Sequence, residues 1–130
     1  MPSTYERPYH PIDLTEEAAA VFPLGRMIED LLEEEVYQTS ERDALTLVHD
    51  DGLSVVLTVA KKGAECGEHT SPEPALIISL RGEVAIKGAS DAGIVYVPKD
   101  SAAALAPGVP HKLEAISDCA YLTIIGSRSE

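Results

Sequence analysis

The chain has 130 residues, enough for one domain with its own core, and its 10 basic and 22 acidic side chains give a formal net charge of −12. Acid in such excess excludes nucleic acid and anionic membrane surfaces as partners, because both are bound by clustered Lys and Arg that displace counterions. The longest apolar runs, Ala18–Phe22 and Ala102–Ala106, are five residues each, against the roughly 20 that span a bilayer, so no membrane span is expected.

In chain order, the first residues (Met1, Pro2, Ser3, Thr4, Tyr5, Glu6, Arg7) lack the basic, apolar, small-residue order of a secretory signal. The two cysteines, Cys66 and Cys119, make no disulfide framework. The expectation is a cytoplasmic chain. Residues 1–43 carry 11 acidic and three basic side chains, net −8, and residues 44–130 carry 11 and seven, net −4. The chain therefore divides into an acidic N-terminal segment, 1–43, and a body, 44–130. Asp13 and Glu16 have capping-box spacing, and Pro23 interrupts any helix begun there. Leu24, Met27, Ile28, Leu31, Leu32 and Val36 then fall at helical spacing, with Glu29, Asp30, Glu33 and Glu34 on the other side. This predicts one amphipathic helix. Its acidic side is either a solvated face on a helix packed against the body or a docking arm for a basic partner.

From Ala44 onward the helical period gives way to short runs of Val, Ile, Leu and Thr between turn residues. Strands are predicted at Leu45 to His49, Ser54 to Ala60, Ala75 to Lys87, Gly93 to Val97, Ala102 to Leu105, Lys112 to Ile116 and Tyr121 to Ile125. Asp50, Asp51 and Gly52 make one turn, and Gly88 through Gly93 make another. The spacing predicts an all-β sandwich or barrel. Alternation places Ala75, Ile77 and Ser79 on one face of a strand and Leu76, Ile78 and Leu80 on the other. Both faces are apolar, so the second must be covered by the N-terminal helix or by another subunit.

Two clusters carry chemistry. The first runs Gly63, Ala64, Glu65, Cys66, Gly67, Glu68, His69, Thr70, Ser71 and on to Gly82. The second is Ala106, Pro107, Gly108, Val109, Pro110, His111. Together they resemble the two signature motifs of the cupin superfamily, and the resemblance covers about Leu45 to Ile125. It implies a cupin-like jelly-roll β-barrel and leaves the acidic, partly helical leader that precedes it unexplained; the homodimer it implies agrees with the two-faced apolar strand, which puts Leu76, Ile78 and Leu80 at or near the interface.

In metal-dependent cupins two histidines and a glutamate of the first motif and one histidine of the second hold a divalent metal. Carried over by position, His69 and His111 take two ligand places, Ser71 replaces the second histidine and Ala75 replaces the glutamate. Asp100 and Ala106 stand where the second motif has its first glycine and its proline. Two imidazoles are fewer than the three protein ligands of an ordinary catalytic metal site. Glu73, Cys66 and His49 are the side chains available to complete the set for Zn, Ni, Mn or Fe.

Three functional readings follow. The first is a small-molecule-binding protein whose barrel pocket is lined by His69, Ser71, Ile77, Ser79 and His111. The second is a metal-dependent oxygenase or isomerase of a small carbonyl compound, using His69, His111 and a recruited Glu73 or Cys66. The third is a regulatory interaction protein whose acidic leader binds a basic partner. Arg81, Lys112 and Glu114 read as surface charges, Cys66 as a small half-exposed thiol and Cys119 as packing. No phosphate loop, Gly-x-Ser-x-Gly elbow, Cys-x-x-Cys pair or His-Glu-x-x-His motif occurs.

Overall fold

The computed structural model describes residues 19–50, 52–69, 72–90 and 93–126, with the side chains of 67–69, 89 and 90 left aside. The capping-box pair Asp13 and Glu16 lies outside the described residues. Two helices, α1 (Leu24–Glu33) and α2 (Glu35–Ser40), stand where one was expected. Pro23 is the residue before α1, and its carbonyl accepts the Met27 N–H at 3.0 Å. The break falls at Glu34, which is extended (φ −69°, ψ 144°). The break leaves Glu35 in the first turn of α2, where a carboxylate suits the helix dipole. It also resets the helical phase, so that Tyr37 is buried while Val36 is 50% exposed.

The strands are β1 (Arg42–Asp50), β2 (Leu53–Ala60), β3 (Glu65–His69), β4 (Ala75–Arg81), β5 (Val84–Ser90), β6 (Gly93–Val97), β7 (Ala102–Leu105), β8 (His111–Ala115) and β9 (Cys119–Gly126). They form two antiparallel sheets, ordered β1-β2-β9-β4-β7 and β3-β8-β5-β6, in a jelly roll. Glu41 in the left-handed conformation ends α2, and β1 follows at once.

Alternation along the five-stranded sheet serves two cores. One lies between the sheets and holds Ile77 and Tyr121 with Val84, Ile86, Val97 and Leu113. The other lies outside the five-stranded sheet, where Met27, Ile28 and Leu31 of α1 pack with Leu45, Leu47, Leu57, Leu122, Ile78 and Leu80. Ile78 and Leu80, on the second apolar face of β4, pack partly buried against this outer core, and Leu76 is half-buried. Arg81 at the end of β4 makes an ion pair with Glu29 of α1, so part of the acidic helical face is engaged by the chain's own barrel. Among the described residues no helix is long and apolar enough to cross a membrane.

Three elements differ from expectation. The run Ala75 to Lys87 is two strands in different sheets, divided at Gly82 (φ +65°). A third strand, β3, was not expected, because Glu-Cys-Gly-Glu-His has no β-branched residue and no alternation. The turn read at Gly88 through Gly93 is shorter, since β5 runs to Ser90 and Ser90 pairs with Gly93.

Candidate functional site

His111 opens β8, whose buried face continues through Leu113 and Ala115 into the inter-sheet core. The Pro107-Gly108-Val109-Pro110 approach turns through Gly108 at φ +76°. It places the Val109 carbonyl 3.2 Å from His111 Nδ1. A carbonyl only accepts, so Nδ1 is the donor in this hydrogen bond. His111 is buried by the strand that presents it.

The β3–β8 register pairs His69 with His111 and Cys66 with Leu113. Three steps along β3 therefore match two along β8, a bulge with one extra residue. An unbroken strand would set Cys66 and His69 on opposite faces. The bulge instead brings both positions into register with the core-facing residues of β8. The His69 side chain, Thr70 and Ser71 lie outside the described positions.

Within the barrel, the Cys66 Sγ lies 3.1 Å from Tyr121 Oη, and Tyr121 also hydrogen-bonds the Thr58 side chain. This polar string crosses from one sheet to the other. Tyr121 carried no sequence signal, because its partners stand more than fifty residues away on β3 and β2. Burial pushes the Tyr121 phenol upward, reinforced by Cys66. Burial likewise pushes the Cys119 thiol, ordinarily at 9.0, up to about 12, with smaller contributions from Cys66 and Asp118. Both groups stay neutral in the folded chain at pH values where the unfolded chain ionises, so the folded state there binds more protons. Stability is expected to hold below about pH 9 and to fall as pH rises toward about 12. Urea midpoints across that range check it, and Cys119→Ala should flatten the decline.

Other expected site residues fall as follows. Ile77 is fully buried in the inter-sheet core, and Ala75, also buried, belongs to the same cluster. The Ser79 hydroxyl donates to the Gly82 carbonyl at 2.9 Å, which makes it a brace for the β4–β5 turn rather than a free donor toward a pocket. Glu73 is half-buried before β4, and His49 is exposed on edge strand β1. Among the described residues no three His, Cys, Asp or Glu side chains gather as a metal-holding group. Lys87 makes ion pairs with Glu114 and Glu65 on the outer face of the four-stranded sheet, and these hydrogen bonds, Glu114 first, raise its pKa. Glu114 is thus a surface charge, as read.

The donor set does not fit a four-ligand cupin metal centre. Its glutamate place is the methyl group of Ala75, walled by neighbours Leu105 and Ile125, and its second histidine place is a serine. The turn residues fit well. Gly63, Gly82 and Gly108 all have positive φ, and Asp100, at the place of the missing glycine, holds φ 66°, a conformation aspartate tolerates better than most side chains.

No protein-family model matches the chain, and no curated protein matches it in sequence. Solved structures do. A conserved protein of unknown function from Streptococcus pyogenes is 22% identical over 75% of this chain and 88% of its own, with a TM-score of 0.64. An RmlC-like cupin from Desulfovibrio desulfuricans is 21% identical over 75% and 92%, TM-score 0.63. A cupin 2 conserved barrel domain protein from Leptotrichia buccalis is 27% identical over 70% of this chain and 43% of its own, TM-score 0.63. The two-sheet topology, the positive-φ turn residues of both motifs and these neighbours converge: the chain has the cupin fold.

Proposed function

We propose that this cupin binds a small organic molecule inside the barrel, at the end where β3 and β8 pair His69 with His111. The observation that carries the reading is the buried His111 ring, held through Nδ1 by the Val109 carbonyl at the margin of an apolar core and paired across the strands with His69. Such a ring orients a ligand hydroxyl or amide, and the surrounding Ile and Leu side chains supply the apolar contact of an ordinary ligand site. Ala75 and Ser71 in two ligand places favour this over a catalytic metal centre.

The test combines two measurements on untagged protein. Elemental mass spectrometry is expected to find less than about 0.1 metal per chain. The imidazole nitrogen resonances of His111 are then followed during titration with glycolate, pyruvate, isovalerate and glucose. At least one probe should shift them saturably with a Kd below about 10 mM, and His111→Ala should weaken that binding at least about tenfold. About one metal per chain, lost in His111→Ala, or no saturable shift with any probe, overturns the reading.

A further inference from the structure

We propose that the ligand site inferred above, on which this proposal rests, takes an uncharged molecule and selects against carboxylates, phosphates and amines alike. Burial locates its mouth. Residues 57–60 of β2 and 119–122 of β9 are buried, whereas residues 53–56 and 123–126 are only half-buried. The two strands pair antiparallel, Leu53 with Gly126 and Val56 with Thr123, so both open toward the same end of the five-stranded sheet. His111 stands at that end of the four-stranded sheet. The other end of β8 is closed, because the Gly63 N–H of the β2–β3 loop donates to the Ala115 carbonyl at 2.8 Å.

The inner face at the mouth is polar without carrying carboxylate, ammonium or guanidinium. Ser54 pairs with Ile125 and Ile125 with Ala75, while Val56 pairs with Thr123 and Thr123 with Ile77. Side chains paired in this way share a face, and Ala75, Ile77 and Ile125 belong to the inter-sheet core. Ser54 and Thr123 therefore bring hydroxyls to the side of the sheet that faces the His111 strand. Among the described residues no Lys, Arg, Asp or Glu stands with them on that face, and His49, paired with Ser54, is exposed on the edge strand. The charges lie elsewhere. Lys87, Glu65 and Glu114 pair with one another on the outer face of the four-stranded sheet. The Asp50 carboxylate accepts the Gly52 N–H at 3.2 Å in the β1–β2 turn, and Glu73 precedes β4 beside the 3.3 Å bond from the Gly126 N–H to the Pro74 carbonyl.

An ion entering this mouth would lose water and meet no counter-charge on the inner face, a cost that neutral hydroxyls do not repay. An anion would also meet Asp50 and Glu73 at the rim and the field of a chain carrying −12. A neutral hydroxyl, ketone or amide avoids both penalties and matches the hydroxyl and imidazole groups present.

Matched compounds on one skeleton test the proposal with the full chain near neutral pH, where the acids and amines are charged: glycolamide, glycolate and ethanolamine; isovaleramide, isovalerate and isopentylamine; glucose and glucuronate. Binding is read from the His111 ring resonances. In every set that binds, the charged members are expected to be at least about tenfold weaker than the neutral one. A charged member that binds more tightly than that overturns the proposal while leaving the barrel a ligand site, and an amine preference would assign the selectivity to Asp50 and Glu73. No binding by any compound overturns the ligand-site reading and this proposal with it. Thr123→Arg, which sets a guanidinium on the inner face, should raise the affinity for the carboxylate of the binding set at least about tenfold with an unchanged circular dichroism spectrum. A folded variant without that gain overturns the proposal, and the matched sets on the native chain decide independently of how the variant folds.

Discussion

Gly82→Ala is expected to lower the melting temperature by about 10–20 °C, equivalent to a loss of about 3–5 kcal/mol of stability. A Cβ at this position would lie 2.2 Å from the Asp118 carbonyl oxygen and 2.8 Å from Ser117 Oγ, and φ of +65° is unfavourable for alanine in any surroundings. Neither neighbour can withdraw freely. Ser117 Oγ accepts the Glu83 N–H at 3.0 Å, and the Asp118 carboxylate accepts the Lys62 N–H at 2.9 Å. The Gly82 carbonyl itself receives the Ser79 hydroxyl. The turn joins β4 to β5, strands of different sheets, so strain here is felt by both. Against a total stability of about 5–15 kcal/mol the loss is severe. Gly25→Ala is the matched control: Gly25 lies in α1 with nothing within 4 Å of its would-be Cβ. That change should be neutral or stabilising by up to about 1 kcal/mol. Thermal denaturation of the two variants side by side decides the matter. A loss below about 1 kcal/mol for Gly82→Ala would mean that the Asp118 loop yields readily.

The second large effect is expected from restoring both missing donors, Ser71→His together with Ala75→Glu. The double variant should bind Zn at least about 100-fold more tightly than the native chain, because four donors replace two at places the fold reserves for them. Ala75 is buried beside Leu105 and Ile125, so an ionised glutamate there lacks solvent and, without a cation, costs several kcal/mol. The metal-free variant should therefore unfold at lower urea concentration than the native chain. Zn at about 1,000 times its Kd should return about 4 kcal/mol. Calorimetric titration with urea midpoints measured with and without Zn checks both halves. If affinity does not rise, the positions carried over from the motif are not the ligand positions in this barrel.

Particular residues show where the sequence was legible. Ala75 to Leu80 alternates cleanly, and its two apolar faces do serve two cores, one between the sheets and one under α1. The glycines of the two motifs were legible because positive φ is a backbone requirement that few other residues meet. The helix break at Glu34 was not legible from the period, since Val36 continues the apolar spacing. The strand β3 escaped because its pairing with β8, not its composition, makes it a strand. The bulge in that pair decides which residues share a face with His111, and no local pattern announces it. Tyr121 and Thr58 are joined only by the pairing of β9 with β2. Motif spacing identifies the ends of the site, and long-range register supplies its middle.

The footing of α1 has a consequence for how the chain is made. Its apolar stripe rests on Leu45 and Leu47 of β1, Leu57 of β2, Ile78 and Leu80 of β4, and Ala120 and Leu122 of β9. The helix leaves the ribosome before the strands it packs on, and its seat is complete only after β9 has been synthesised. Strand pairings across such sequence distances form slowly. Throughout that interval Met27, Ile28 and Leu31 have no native surface to cover. The run of glutamates beside them keeps the nascent segment hydrated and mutually repelling, which opposes premature association of its apolar side.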